Sequence, residues 1–124
     1  CMEREINVNC FDGVITKRNT VAFADGEFEC DMSGILEQYA EEGTAVKAYI
    51  HFNDIKMSDD KDAGSVCGNI TSLIYKGDHY NYTVKTKNGF EYILNDEFLW
   101  NENDYVSLII PKEAIKIEPL SGEV

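Results

Sequence analysis

Proline is nearly absent, with two residues in 124, and glycine numbers only nine. That excludes a proline- or glycine-rich linker and a low-complexity chain. No apolar run approaches the roughly 18 residues that a membrane-spanning helix needs, so no direct membrane insertion is expected. The opening stretch CMEREINVNC has neither a basic segment nor an apolar one and does not read as a signal peptide. It begins with Cys rather than Met, which reads as a piece of a longer protein. Histidine is limited to His51 and His79, so any histidine-based triad would have to use one of these, and neither is expected to be catalytic. The chain has no GxxxxGK[ST] loop, no GxGxxG after a strand, no HExxH and no GxSxG. Nucleotide phosphates are therefore not expected to bind by that route, and the chain is not expected to be an enzyme.

Positive charge is scarce as well. The net charge is −12, and both halves are acidic: residues 1–60 carry 13 acids and 5 bases, residues 61–124 carry 10 and 6. Nucleic-acid phosphate and anionic lipid would meet general repulsion, whereas a cation would be attracted. Solubility is the plainer use of such a charge. The cysteines Cys1, Cys10, Cys30 and Cys67 form no CxxC pair and no zinc set. Without a secretory signal they read as reduced cytosolic thiols, those at 10, 30 and 67 being small buried hydrophobes of strands. SDDKD (58–62) lacks the residue order of a calcium loop and reads as a solvated junction, so no metal site is expected.

What is present is strand signal. A hydrophobic content of 44% can build a core, and a chain of this length fits one compact domain or two small ones sharing a core. Period-two alternation runs through 6–16, 20–31, 45–52, 66–75, 79–86, 90–95, 105–111 and 113–120. Asp25-Gly26 and Asn88-Gly89 mark hairpin turns, and Lys76-Gly77-Asp78 marks a third. GILEQYAEEG (34–43), bracketed by Gly34 and Gly43, is the one plausible helix, of a turn or two. Many short strands at regular spacing point to an all-β sandwich or barrel.

The second half repeats the plan of the first. At an offset of 60, Glu42, Val46, Ile50, Ile55 and Lys56 match Glu102, Val106, Ile110, Ile115 and Lys116. At an offset of 55, Gly13-Val14-Ile15-Thr16 resembles Gly68-Asn69-Ile70-Thr71. Residues 1–124 are thus expected to form a single domain. It comprises a first repeat of about 6–57, a polar junction at 58–64 and a second repeat of about 66–120. A copy of about 50 residues is marginal as an independent core, so the copies should share one.

LIYKGDHYNYTVKT (73–86) crowds tyrosines, a histidine and an aspartate around one glycine. On the strand after the turn, Tyr80, Tyr82 and Val84 share one face. Such a face can be core or cross-strand packing, a subunit interface, or a ligand site. In the last case Tyr75 or Tyr80 would face an ammonium group and Asp78 would pair with it, His79 lying at the turn. Tyr75, Asp78, His79, Tyr80 and Tyr82 are accordingly the candidate ligand or interface residues, with no catalytic residue and no metal ligand among them.

The order and duplication of these segments resemble a known family, the transport-associated OB (TOBE) region at the C-terminus of ABC importer ATPase subunits. The spermidine/putrescine class is the nearest in pattern. IHFNDI (50–55) resembles that family's I-R-P-E-D-I element at Ile50, Asp54 and Ile55, and departs from it at His51, Phe52 and Asn53. IPKEAIKI (110–117) resembles the second copy of the element through Pro111, Glu113 and Ile115. GNITSLIYKGDHYNYTVKT (68–86) is similar to the G-x-[IV]-x-x-x-x-[YF]-x-G-x-x-x-x-[YF]-x-V element. Gly68, Ile70, Tyr75, Gly77, Tyr82 and Val84 occupy its positions, and His79-Tyr80 resembles the polyamine-importer version. FDGVITKRNTVAFADGEFEC (11–30) resembles the family's opening hairpin. The resemblance runs from about Ile6 to Leu120.

It implies an OB-fold-like β-barrel built from two TOBE half-repeats, with at most one short helix. It also implies a non-catalytic regulatory and dimerisation domain without a cofactor of its own, ATP and magnesium belonging to an ATPase domain upstream. The implied partners are a second copy, that ATPase domain and the permease subunits, at the cytoplasmic side of the cell membrane. The alternative is a stand-alone small-ligand module for an oxyanion or a polyamine. A nucleic-acid-binding OB fold would need a positive groove that this composition does not supply.

Overall fold

The computed structural model describes residues 7–30 and 41–119. Among these residues ten strands follow one another: β1 (Val8–Lys17), β2 (Thr20–Phe23), β3 (Gly26–Glu29), β4 (Ala45–His51), β5 (Lys56–Ser58), β6 (Val66–Tyr75), β7 (Tyr80–Thr86), β8 (Glu91–Asp96), β9 (Tyr105–Ile109) and β10 (Ile115–Pro119). Among the described residues the only helical pieces are single 3-10 turns at Phe52–Asp54 and Lys112–Ala114. Most of the helix expected at 34–43 lies outside the described residues.

The chain divides into two compact units, Cys1–Ile50 with Pro111–Val124, and His51–Ile110. Each carries one five-stranded open sheet. The first runs β10-β4-β1-β2-β3, the second β5-β9-β6-β7-β8. Alternating burial explains the sheets. In β4 it is Val46, Ala48 and Ile50 that turn inward, and in β7 it is Tyr82, Val84 and Thr86. Ile15, Val21, Phe23 and Ile115 complete the core of the first unit; Ile55, Ile70, Leu94 and Leu108 complete that of the second. Phe23 also stacks on Phe11 and Phe28, with ring centroids 5.3 and 4.5 Å away.

The two sheets correspond strand for strand, β1 to β6, β2 to β7, β3 to β8, β4 to β9 and β10 to β5. The match extends to register. Lys116 lies opposite Tyr49 and Lys56 opposite Ile109. The ladder of β1 and β2 slips between Ile15 and Lys17, and that of β6 and β7 slips between Ile70 and Ser72. Gly43 N–H donates to the Ile15 carbonyl and Asn103 N–H to the Ile70 carbonyl, both at 2.7 Å. Both donors have left-handed backbone, φ 89° and 76°, which glycine adopts freely and asparagine tolerates. The tail strand of each repeat belongs to the sheet of the other. β5 completes the sheet of β6 to β9, and β10 completes that of β1 to β4. Neither repeat finishes a unit alone.

The glycines of the repeated G-x-I have one physical cause. A Cβ on Gly13 would sit 2.8 Å from the Ala22 carbonyl oxygen, and one on Gly68 would sit 2.6 Å from that of Lys85. In each case that carbonyl belongs to the residue before the glycine's cross-strand partner, Phe23 or Thr86. Two of the cysteines depart from expectation. Cys10 is disulfide-bonded, whereas Cys30 is a buried cysteine outside any disulfide, as expected, and Cys67 another that is partly exposed. Cysteine spacing in sequence carries no information on which Cα atoms approach within bridging distance.

Candidate functional site

The tyrosine-rich segment is a hairpin. β6 and β7 end in register at Tyr75 and Tyr80, and the Lys76 N–H donates to the His79 carbonyl at 2.8 Å. Gly77 takes φ 105°, which explains the glycine at this turn. The Tyr75 hydroxyl donates to the Gly77 carbonyl, and the ring is 62% exposed. Tyr75, Tyr80 and Tyr82 form a ladder, with centroids 5.0 Å apart for the first pair and 6.0 Å for the second. His79 Nδ1 lies 2.6 Å from Asp78 Oδ1.

The candidates do not stay together. Tyr82 is fully buried, and its hydroxyl donates to the Phe98 carbonyl at 2.6 Å while accepting from Trp100 N–H at 2.8 Å. Burial pushes its phenol pKa up, against the opposing pull of the Trp100 N–H and with a small addition from the charge of Asp96. It is a core residue that fixes a loop. Asp78 and His79 instead face an open cleft of about 630 Å³ within the second unit, whose lining includes neither Tyr75 nor Tyr80.

The rest of that cleft was not foreseen from sequence. Asp96, Glu97, Phe98 and Trp100 form one wall, and Lys56 contributes a cation. Asp96 organises its wall, accepting from Phe98 N–H at 2.9 Å and from Trp100 Nε1 at 3.3 Å. Asn95 links Asn81 and Asn53, with bonds of 3.0 Å to each. DEFLWNEND (96–104) shows no alternation to place its side chains, so only the acid-flanked aromatic pair could have drawn attention. Carboxylates beside aromatic faces suit an ammonium group better than an anion.

The first unit holds a cleft of about 490 Å³ at the corresponding place, between the β1–β2 turn, the end of β3 and the 3-10 turn before β10. Its chemistry is opposite in emphasis. Lys17, Arg18 and Lys112 line it together with Glu29 and Glu113. Equivalent positions have thus diverged in charge.

The crossover turns also correspond. His51 opens one with φ −69° and ψ 144°, and Pro111 opens the other with φ −64° and ψ 148°. Where proline fixes the backbone covalently, His51 Nδ1 accepts from Asn53 N–H at 3.2 Å. The departure at 51–53 therefore preserves the turn.

No family model matches the chain. It is similar to the spermidine/putrescine import ATP-binding protein PotA of Bacteroides thetaiotaomicron, 30% identical over 117 residues, covering 94% of this chain and 24% of that protein. The protein of the same description from Borreliella afzelii is 38% identical over 77 residues, covering 62% of this chain and 20% of its own length. The chain thus spans about a quarter of the length of the curated relatives it matches. Among solved structures, a molybdate-bound crystal form of the cytoplasmic molybdate-binding protein ModG superposes with a TM-score of 0.74 at 11% identity, covering 88% of this chain and 94% of that one. Its likeness bears on the fold alone. In sequence over nearly its whole length, and in its two-sheet OB-type fold, this chain is a TOBE-type domain related to the C-terminal part of spermidine/putrescine import ATP-binding proteins.

Proposed function

We propose that the chain is the non-catalytic accessory domain of the ATP-binding subunit of an ABC importer for polyamines, where it serves regulation and dimerisation. The observation that carries this reading is the alignment of 94% of the chain with a quarter of a spermidine/putrescine import ATP-binding protein. In this reading ATP and magnesium belong to the remaining three quarters, and this domain needs no cofactor. Its partners are a second copy, the ATPase domain and the permease subunits, and it works at the cytoplasmic face of the membrane through them. No helix among the described residues is long and apolar enough to cross a membrane. The test is sedimentation of the isolated chain combined with an ATPase assay. A dimer without ATP hydrolysis supports the proposal; a monomer removes the dimerisation role, and hydrolysis removes the accessory one.

A second reading is favoured by the paired clefts, a small-ligand module of the same fold. Calorimetry discriminates, with spermidine addressed to the acidic aromatic cleft and molybdate to the cleft of Lys17, Arg18 and Lys112. Heat that saturates with either ligand supports binding. Its absence with both leaves regulation without a ligand of its own.

A further inference from the structure

The cleft of the first unit gathers Lys17, Arg18 and Lys112, three of the eleven Lys and Arg in a chain of net charge −12. Glu29 and Glu113 line it too. All five residues are exposed, and no side-chain hydrogen bond or ion pair joins any of them to a described residue. Elsewhere in this unit opposite charges do pair, Lys47 with Asp12. Charges that share one cleft without neutralising each other stay available to a ligand. The backbone that carries them is fixed. Cys30 N–H donates to the Asn19 carbonyl at 2.9 Å, which ties the end of β3 to the β1–β2 turn, and Thr20 lies opposite Glu29 in the ladder. Ala114 N–H closes its 3-10 turn on the Pro111 carbonyl, also at 2.9 Å. A site on such a frame loses little backbone freedom on binding.

We propose that this cleft binds an organic phosphate whose body carries hydroxyl groups. The proposal deepens the small-ligand reading and rests on it. A phosphate monoester brings about −1.5 to −2 charges and three terminal oxygens to the three cations. Arg18 can grip two of those oxygens through its planar fork. The two glutamates argue against a bare oxyanion, which they would repel, whereas hydroxyl groups donate to carboxylates. Volume points the same way. The cleft measures about 490 Å³, and clefts of roughly 300–1,000 Å³ take ligands larger than one tetrahedral ion. The cation set is particular to this unit, since at the offset of 60 Phe52 holds the place of Lys112.

The test is calorimetry on the whole chain with ribose 5-phosphate, butyl phosphate, inorganic phosphate, malate, molybdate and spermidine as separate probes. Ribose 5-phosphate is expected to saturate and to bind at least tenfold more tightly than any of the other anions. Arg18→Gln with Lys112→Gln should weaken it at least tenfold. Glu29→Ala with Glu113→Ala should erase its preference over butyl phosphate, a comparison between ligands of equal charge. Melting temperatures of both variants should be unchanged, because all four side chains are exposed. Equal or tighter binding of butyl phosphate, inorganic phosphate, malate or molybdate overturns the proposal. So does affinity that survives loss of the two cations, or a preference that survives loss of the two carboxylates. Saturation with spermidine alone overturns it and leaves the small-ligand reading standing; no heat with any probe removes both.

Discussion

The Tyr82 hydroxyl lies 2.6 Å from the Phe98 carbonyl oxygen, so a fully buried core tyrosine fixes the backbone beneath the most exposed aromatic ring of the described residues. The same oxygen accepts from Trp100 N–H at 2.8 Å. One side chain therefore ties β7 to both ends of the Phe98-Leu99 tip. Tyr82→Phe keeps the ring and removes both bonds. It is expected to cost about 1–3 kcal/mol, read by urea titration, because two backbone groups lose their partner. The fluorescence of Trp100, the sole tryptophan, should change as its N–H is released. Unchanged stability and fluorescence together would refute this role of the hydroxyl.

The same residue sets an alkaline limit. Burial, the largest cause, raises the Tyr82 pKa above its ordinary value of 10. Below pH 10 the phenol is protonated both folded and unfolded, and its contribution is fully present. As pH rises past 10 the unfolded chain ionises first, so stability falls until the folded value is passed. Tyr82→Phe should flatten that fall. Parallel stability curves for both proteins above pH 10 would contradict the burial of this phenol.

Gly13 and Gly68 should resist substitution in the same way. Each Cβ would meet a neighbouring-strand carbonyl oxygen, at 2.8 and 2.6 Å respectively. Gly13→Ala and Gly68→Ala are expected to destabilise by about 1–3 kcal/mol through overpacking, measured by thermal or urea unfolding. A neutral result at either position would show that its hairpin can spread without cost.

The repeated threonines after these glycines should behave differently. The Thr16 hydroxyl oxygen is buried without a hydrogen-bond partner, whereas the exposed Thr71 hydroxyl donates to the Thr83 carbonyl at 3.3 Å. Thr16→Val should therefore stabilise by about 1 kcal/mol, since it removes an unsatisfied polar atom. Thr71→Val should change stability by less than about 0.5 kcal/mol, as surface substitutions usually do. Melting temperatures of the two variants check the contrast, and a destabilised Thr16→Val would mean that its hydroxyl finds a partner.

Much of this fold is legible from local chemistry. Alternation places the inward residues of β4 and β7, and the offsets of 55 and 60 anticipate the equivalent glycines, bulges and tail registers. Gly77 and Gly89 sit at turns with φ of 105° and 91°, as turn chemistry requires. The expected Asp25-Gly26 turn is displaced by one residue. Phe23 pairs with Gly26, and Ala24 carries the positive φ of 48°, so ladder register overrides the residue preference. β5 escapes notice because three residues leading into a polar stretch have no readable period. The exchange of tail strands is invisible too, since alternation says which side faces inward and not which sheet receives the strand.

The candidate site is less legible than the fold. Asp78 and His79 reach a cleft, but the aromatic wall that gives it character comes from Phe98 and Trp100. Their placement depends on long-range bonds to Tyr82 and on the turn set by Asp96, neither of which leaves a sequence period. The tyrosine face admitted several uses from sequence. The structure assigns Tyr82 to the core, and leaves Tyr75 and Tyr80 outside the cleft lining.

The most direct measurement is the sequence of the reading frame upstream of Cys1. As an accessory domain of an importer's ATP-binding subunit, this chain should be preceded in frame by a GxxxxGK[ST] loop and an LSGGQ-like signature. A frame that begins at Met2, or that lacks both motifs, would contradict that role and leave a free-standing pair of open sheets whose two clefts become the place to seek a ligand.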